Sequence, residues 1–364
     1  MSRETYHMPD LLLFAAALLL VSLGLVMVYS ASSVMALAET GDPLYYLKRQ
    51  MIGMTLGTIA MLVLMQIDYR IYQRLAILGV VVAYGLLVAV LLVGTEISGS
   101  RRWIDLGVFN LQPSEVSKLA LVNFIAAFAA SRPQVMKNFW KGLVPPLLVT
   151  GVFFALVVAE PDFGTGVSMV GTAMVMLFAC GARISHLIIL GLLAIPLLGV
   201  LIWLEPYRME RILSFLDPWA DPMNTGWNII QSLLAIGSGG LFGLGLGSSR
   251  QKFFYLPEQH TDFIFAIIGE ELGFLGSLAV LSLFFLFAWR GFRIAMRASD
   301  LFGCFLAVGI TSMIIVQAML NIGVVSGALP VTGVTLPFIS FGSSSLVVSL
   351  AGVGVLLNIS KRIR

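Results

Sequence analysis

Ten apolar stretches divide this chain, at roughly 11–30, 50–67, 75–93, 113–130, 143–159, 165–181, 186–204, 263–289, 301–326 and 342–359. A helix rises about 1.5 Å per residue, so each is long enough, or nearly so, to cross about 30 Å of hydrocarbon. With 59% hydrophobic and 11% charged residues in 364, no water-soluble fold could hide this much apolar surface. The expectation is an all-α polytopic membrane protein of ten transmembrane helices, forming one integral domain over residues 1–364. The first stretch can also be read as a secretory signal cleaved at Ala36-Leu37-Ala38. Its apolar run outlasts a signal core and follows Glu4 and Asp10, so a retained helix is expected.

Basic residues orient the helices. With the N-terminus inside, the inner segments carry Arg3, Arg70, Arg74, Arg132, Lys137, Lys141, Arg183, Arg290, Arg293, Arg297, Lys361, Arg362 and Arg364, thirteen of the 22 Lys and Arg. Only Glu4, Asp10, Asp68 and Asp300 accompany them. The positive-inside rule then places both termini in the cytoplasm. The longest connection, about 205–262 between the seventh and eighth helices, becomes a large extracytoplasmic loop. Within it Asp217-Pro218-Trp219 and Asp221-Pro222 mark turns, and Gly226–Ile236 reads as a helix too short to span. The glycines at 237, 239, 240, 243, 245 and 247 read as a flexible connector.

Several function classes drop out. A net charge of +3 is too small to suggest a nucleic-acid partner. Cys180 and Cys304 lie in apolar runs and read as two buried thiols, with no disulfide or metal framework. His7, His186 and His260 lack metal-ligand spacing. No GxxxxGK phosphate loop is present, and the alternating Gly243, Gly245 and Gly247 follow no strand, so a nucleotide site is not indicated.

Polar chemistry instead concentrates on the outer side. Glu258, Gln259, His260, Thr261 and Asp262 run straight into an apolar helix. Acids at the edge of hydrocarbon are costly and point to function. The plain alternative is a helix cap at Thr261 or Asp262, though capping leaves Glu258, Gln259 and His260 unexplained. Glu270 and Glu271 follow, about 12 Å deeper on a regular helix. A second group is Arg101-Arg102-Trp103, then Gln112-Pro113-Ser114-Glu115 and Lys118. An outer arginine pair suits a pyrophosphate, which guanidinium grips bidentately; snorkelling beside an interfacial Trp103 is the plain alternative. Glu115 and Lys118 stand i, i+3 and can pair, as a site or merely as a structural ion pair. In Glu160-Pro161-Asp162-Phe163-Gly164-Thr165, turn chemistry accounts for Pro, Asp and Gly but does not demand Glu160. Gln231 and Ser232 sit on the short helix, Arg211, Arg250 and Lys252 add outer cations, and 321–345 reads as a rigid, extended outer loop.

These residues carry a resemblance. Tyr29-Ser30-Ala31-Ser32, Arg102-Trp103, Gln112-Pro113-Ser114-Glu115 with Lys118, Glu160 to Thr165, Leu256-Pro257-Glu258 with His260-Thr261-Asp262-Phe263, and Leu329-Pro330-Val331-Thr332-Gly333 together resemble the SEDS family of bacterial cell-wall glycosyltransferases. The resemblance covers nearly the whole chain. It is strongest to division-type members, nearly as strong to sporulation-type ones and weaker to elongation-type ones. It implies polymerisation of lipid II into glycan strands at the outer face of the cytoplasmic membrane, at the division septum, with release of undecaprenyl pyrophosphate. It implies Asp262 as the catalytic acid/base. The substrate-binding set read beside it is Arg102, Trp103, Glu115, Lys118, Glu160, Arg211, Gln231, Ser232, Lys252, Glu258, His260 and Thr261. It implies a class B penicillin-binding protein, a single-pass transpeptidase, as partner, together with the FtsQ, FtsL and FtsB division proteins. A divalent cation, Mg2+ or Mn2+, enters by the same implication. Gly303, Ala307 and Gly309 are small enough to admit a partner's helix.

The chemistry fits these residues. A sugar hydroxyl is a weak nucleophile and needs a base within hydrogen-bond reach, and a partly desolvated aspartate gains basicity. The departing pyrophosphate needs cations. Two other classes compete. A lipid II flippase would line its path with Glu115, Lys118, Glu270 and Glu271. An ion-coupled secondary transporter would show an internal repeat and a midplane site. No repeat is found and the polar residues gather at the outer face, which favours surface chemistry.

Overall fold

The computed structural model describes residues 8–97, 100–107, 109–253 and 255–362; Arg3, Glu4, His7, Phe254 and Arg364 lie outside the described residues. The helices are α1 (Leu11–Thr40), α2 (Tyr45–Leu64), α3 (Arg70–Arg74), α4 (Ala76–Val93), α5 (Pro113–Ser131), α6 (Val144–Ala159), α7 (Phe163–Ala179), α8 (Ile184–Trp203), α9 (Pro206–Leu216), α10 (Trp227–Ser238), α11 (Ile264–Arg297), α12 (Leu301–Val325) and α13 (Ser343–Ser360). Among the described residues nine helices are long and apolar enough to cross a membrane, α6 counting with the π-helical turn Phe139–Leu143 that leads into it. The sixth expected span is α7, apolar but only 17 residues long. Every apolar stretch of the sequence is thus a helix, and the chain is a polytopic helical membrane protein.

The boundaries follow local chemistry. α1 runs ten residues past its expected end, for 30 in all. The Asp10 carboxylate accepts Leu13 N at 3.0 Å at its start, and Gly41, left-handed at φ 74°, closes it. Pro113 opens α5 where its missing N–H costs nothing. The all-α expectation needs one correction. β1 (Thr95–Ile97), β2 (Ser100–Asp105) and β3 (Asn110–Leu111) form a small antiparallel sheet between α4 and α5. Alternation along β2 sends neighbouring side chains to opposite faces, so Arg101 and Arg102 do not present a paired grip.

Loops meet at two opposite ends. At one, Arg290 pairs with Asp10, Asp10 N bonds Ser360 Oγ, Tyr69 bonds Asp300, and Arg362 pairs with Asp68. At the other, Gln50 bonds Ser340 O and Gly342 N, Gln112 N bonds Ser344 Oγ, and Gln112 Nε2 bonds Asp162. α12 and α13 are the most enclosed spans and form the centre, whereas α8 has no buried residue. Gly303, Ala307 and Gly309 are consumed in this packing and cannot receive a partner. Tyr69 covers Gly303, Val122 and Met176 cover Gly309, and Ala307 is fully buried.

The 205–262 loop is more ordered than its composition suggests. α9 and α10 lie within it, and α10 starts one residue later than expected. The glycine connector is not free. α11 breaks at Gly273, where φ is 69° and ψ −163°, although the sequence reads as one continuous helix. A break frees backbone groups that must be satisfied at membrane depth. The glycine segment satisfies them: Leu244 N donates to Glu270 O (2.9 Å), Gly245 N to Glu271 O (3.0 Å), Phe274 N to Gly240 O (2.9 Å) and Leu275 N to Leu241 O (3.2 Å). Approach this close requires glycine. A Cβ on Gly243 would stand 2.2 Å from Glu271 O, and one on Gly273 would stand 2.3 Å from Gly243 N.

Candidate active site

Asp262 precedes the first, short half of α11. It does not cap that helix: Phe263 holds the N-cap position with no side-chain cap bond. Among the described residues the Asp262 carboxylate accepts no hydrogen bond. Its backbone is fixed instead. Asn321 Nδ2 donates to both Asp262 O and Val334 O at 2.7 Å, and Ser340 Oγ donates to Thr261 O at 2.6 Å. These bonds set the 332–340 segment beside the aspartate, where a Cβ on Gly333 would lie 3.6 Å from Asp262 Oδ2. The result is a half-buried carboxylate, free of hydrogen bonds among the described residues, held on a fixed backbone.

Charges around it set its titration. Burial pushes the Asp262 carboxyl up to about 7, and Glu258 and Asp162 add to the rise while Arg211 and Arg102 hold it down. Four of the nominated or neighbouring side chains therefore converge on one carboxylate from four separate elements. Arg102 comes from β2, Asp162 from the turn before α7, Arg211 from α9, and Glu258 from the turn before α11. Arg102 Nε donates to Glu160 O at 3.1 Å and its terminal nitrogen to Pro161 O, so it also locks the 160–165 turn. Asp162 caps α7 through Thr165 N (3.2 Å). Arg211 reaches Val331 O at 3.3 Å, tying α9 to the residue that leads into the 332–340 segment.

Glu160 is fully buried, and both carboxyl oxygens lack a partner among the described residues. Burial first, then Asp162, lift it to about 9, so it is a neutral acid at pH 7. His260 is wedged between Tyr46 and Phe341, with ring centroids 4.4 and 5.5 Å away, and burial holds its imidazole below the usual range. Thr261 Oγ1 bonds the Glu258 carboxylate at 2.8 Å.

The rest of the nominated set is engaged elsewhere. Glu115 and Lys118 form a buried ion pair at 2.9 Å, and Lys118 also donates to Gln317. Gln317 in turn donates to Thr335 O at 3.0 Å. Gln317 and Asn321 are one turn apart on α12, so one helical face links the ion pair, the 332–340 segment and Asp262. Gln317 escaped the sequence reading, though an amide inside a 25-residue apolar span is a legible signal. Lys252 is buried on Glu271 (3.4 Å) and Gly247 O. Glu270 accepts Ser249 Oγ, Arg250 N and Gln251 N, and Glu271 accepts Ser30 Oγ and Ser249 N. Ser232 donates to Val325 O at 2.7 Å, and Gln231 is buried beside it. Trp103 is half-buried on β2.

The described residues contain no group of three or more His, Cys, Asp or Glu side chains placed to hold a metal ion. No step below runs through a divalent cation.

Comparison with known proteins identifies relatives over nearly the whole chain. The chain is 51% identical over 355 residues to stage V sporulation protein E of Bacillus subtilis (strain 168), covering 97% of each. It is 45% identical over 357 residues to the probable peptidoglycan glycosyltransferase FtsW of Geobacter sp. (strain M18), covering 98% of this chain and 97% of that one. Among solved structures, a chain from a study of polymerisation and crosslinking by a peptidoglycan synthase complex superposes with TM-score 0.80 at 32% identity, over 97% of both. The rod shape determining protein RodA of Thermus thermophilus superposes with TM-score 0.73 at 31% identity, over 98% of both. Residues 10–364 match the family described as cell cycle protein, and the chain belongs to that FtsW/RodA/SpoVE family.

Proposed function

We propose that this chain is a peptidoglycan glycosyltransferase that polymerises lipid II, with Asp262 as its general base. The observation that carries the reading is the Asp262 carboxylate, uncapped, half-buried and poised near pH 7 between two arginines and two acids. Asp262 takes the proton of an acceptor sugar hydroxyl as its oxygen attacks the anomeric carbon of the donor. The new C–O bond forms as the bond to pyrophosphate breaks, and the electron pair leaves on the phosphate oxygen. Arg211 and Arg102 supply positive charge beside this event. Pyrophosphate departs without a proton, so one carboxylate suffices. Glu160, neutral at pH 7, adds no repelling charge.

The finer reading has ten helices, α7 included, with both termini cytoplasmic and Asp262 at the outer surface. The basic inner loops support it, as does the gathering of loops at two opposite ends. Identities of 51% to a sporulation protein and 45% to an FtsW support a role in division or spore-wall synthesis. A septal location, a class B penicillin-binding protein and FtsQ, FtsL and FtsB as partners, and a divalent cation, Mg2+ or Mn2+, follow from the resemblance. Flippase action gains no support, because Glu115, Lys118, Glu270 and Glu271 are all internally bonded rather than lining a path.

Asp262→Asn tests the assignment. The isosteric amide should cut lipid II polymerisation by roughly two to four decades while membrane abundance stays normal, since a positioned base contributes about that much. Glycan of ordinary length at an ordinary rate would move the base elsewhere.

A further inference from the structure

At the end of the molecule opposite Asp262, a cavity of about 500 Å³ opens between the start of α1 and the end of α11. Arg290, Arg293 and Arg297 line it from successive turns of one α11 face, with Asp10 and Ser360 beside them and Leu11, Leu12 and Ile294 as apolar wall. Cations in the last turn of a helix are ordinary, because they complement its dipole. The balance here goes further. Asp10 neutralises Arg290 alone, in a two-point contact at 2.5 and 3.0 Å. Arg293 and Arg297 have no carboxylate partner among the described residues, which leaves the cavity with two uncompensated positive charges. Trp289 lies under Arg290 and Arg293, with guanidinium carbons 5.6 and 5.8 Å from its ring centre. An aromatic ring with arginines over it, next to aliphatic side chains, is the chemistry of the bilayer boundary.

We infer that this cavity binds the phosphodiester headgroup of an anionic membrane lipid, with Arg293 and Arg297 as the phosphate ligands and Leu11, Leu12 and Ile294 flanking the upper acyl chain. Guanidinium forks match phosphate oxygens bidentately. The inference needs α11 to cross the bilayer but does not depend on which side its ends lie, nor on the reaction at Asp262. Asp10 acts as a built-in competitor that occupies the third arginine.

The test uses the full-length protein in phosphatidylcholine nanodiscs doped with fluorescent phosphatidylglycerol, read by energy transfer from the tryptophans and by the lipids retained in native mass spectrometry. Replacing Arg293 and Arg297 by Gln should weaken phosphatidylglycerol retention roughly thirtyfold, about fivefold for each arginine at the usual worth of a basic residue near a charged surface. Asp10→Asn keeps the α1 cap, since Asn caps about as well as Asp, and frees Arg290. It should tighten retention severalfold, an outcome that general damage to the fold would not produce. Arg183→Gln, a basic residue outside the cavity, is the control. An equal loss in Arg183→Gln would show diffuse attraction and overturn the site. Displacement of the lipid by millimolar inorganic phosphate would make it a free-anion site and overturn the lipid assignment.

Discussion

The titration of Asp262 gives the most exacting test of the candidate site. Its carboxyl stands at about 7, against 3.8 for an unperturbed aspartate. A base with that value is ionised in about one molecule in eleven at pH 6 and about ten in eleven at pH 8. If Asp262 must be ionised to accept the sugar proton, the single-turnover rate should climb roughly tenfold between pH 6 and pH 8 and then level off. An ordinary aspartate would give a flat profile over that range. Two neighbours move the acid limb in opposite directions. Glu258→Gln removes a charge that raises the carboxyl, so the limb should shift to lower pH; Arg211→Gln removes one that lowers it, so the limb should shift up. The assay is labelled lipid II incorporated into glycan at constant ionic strength, with the partner present and the plateau rate reported separately from the midpoint. The same group also writes a stability signature. A carboxyl raised in the folded state stabilises fully below its unfolded value and loses that contribution as pH rises through about 7. Asp262→Asn should therefore melt higher than the wild type at pH 8 and by a smaller margin at pH 5. A flat rate from pH 6 to 8, or limbs that shift together in the two variants, would refute the electrostatic account.

Three further outcomes are expected. Lys118→Met strands Glu115 as a buried, unpaired carboxylate and should cost about 3–5 kcal/mol in thermal unfolding, part of it recovered by adding Glu115→Gln; no recovery would deny the pair its structural role. Gly273→Ala forces a side chain into a left-handed backbone against Gly243 N and should cost about 1–3 kcal/mol, so an unchanged melting point would mean the break is not held as described. A cysteine placed at Ser248 should react with an impermeant reagent from outside the cell and one at Ser299 should not; the reverse pattern would invert the topology.

Much of this architecture could be read from the chain alone, for a definite reason. In hydrocarbon a backbone must satisfy itself, so apolar length maps onto helix almost one to one, and all ten stretches do so. Asp262 was legible because an acid at the edge of an apolar run has no cheap explanation. What escaped depends on contacts between distant segments. Gly273 sits in a stretch whose composition is helical throughout, and only the docked glycine segment reveals that the helix breaks there. Lys252 looked like an outer cation because its partner Glu271 is 19 residues away in sequence. The convergence of Arg102, Asp162, Arg211 and Glu258 is likewise a tertiary fact, since no spacing along the chain encodes it.

The break in α11 changes how force travels through the molecule. An unbroken helix of 34 residues would be a lever about 51 Å long, carrying any shift at Arg297 straight to the turn under Asp262. Gly273 is a joint in that lever. Beyond it the short half, Ile264 to Leu272, is clamped by Glu270 and Glu271 to the backbone of 249–251 and to Ser30 of α1. Mechanically, then, Asp262 belongs to the 240–252 segment and α1 rather than to the long span whose sequence it introduces. Strain arriving along the long half, Phe274 to Arg297, dissipates at the glycine, whereas strain in the 240–252 segment reaches the aspartate's turn through two carboxylates.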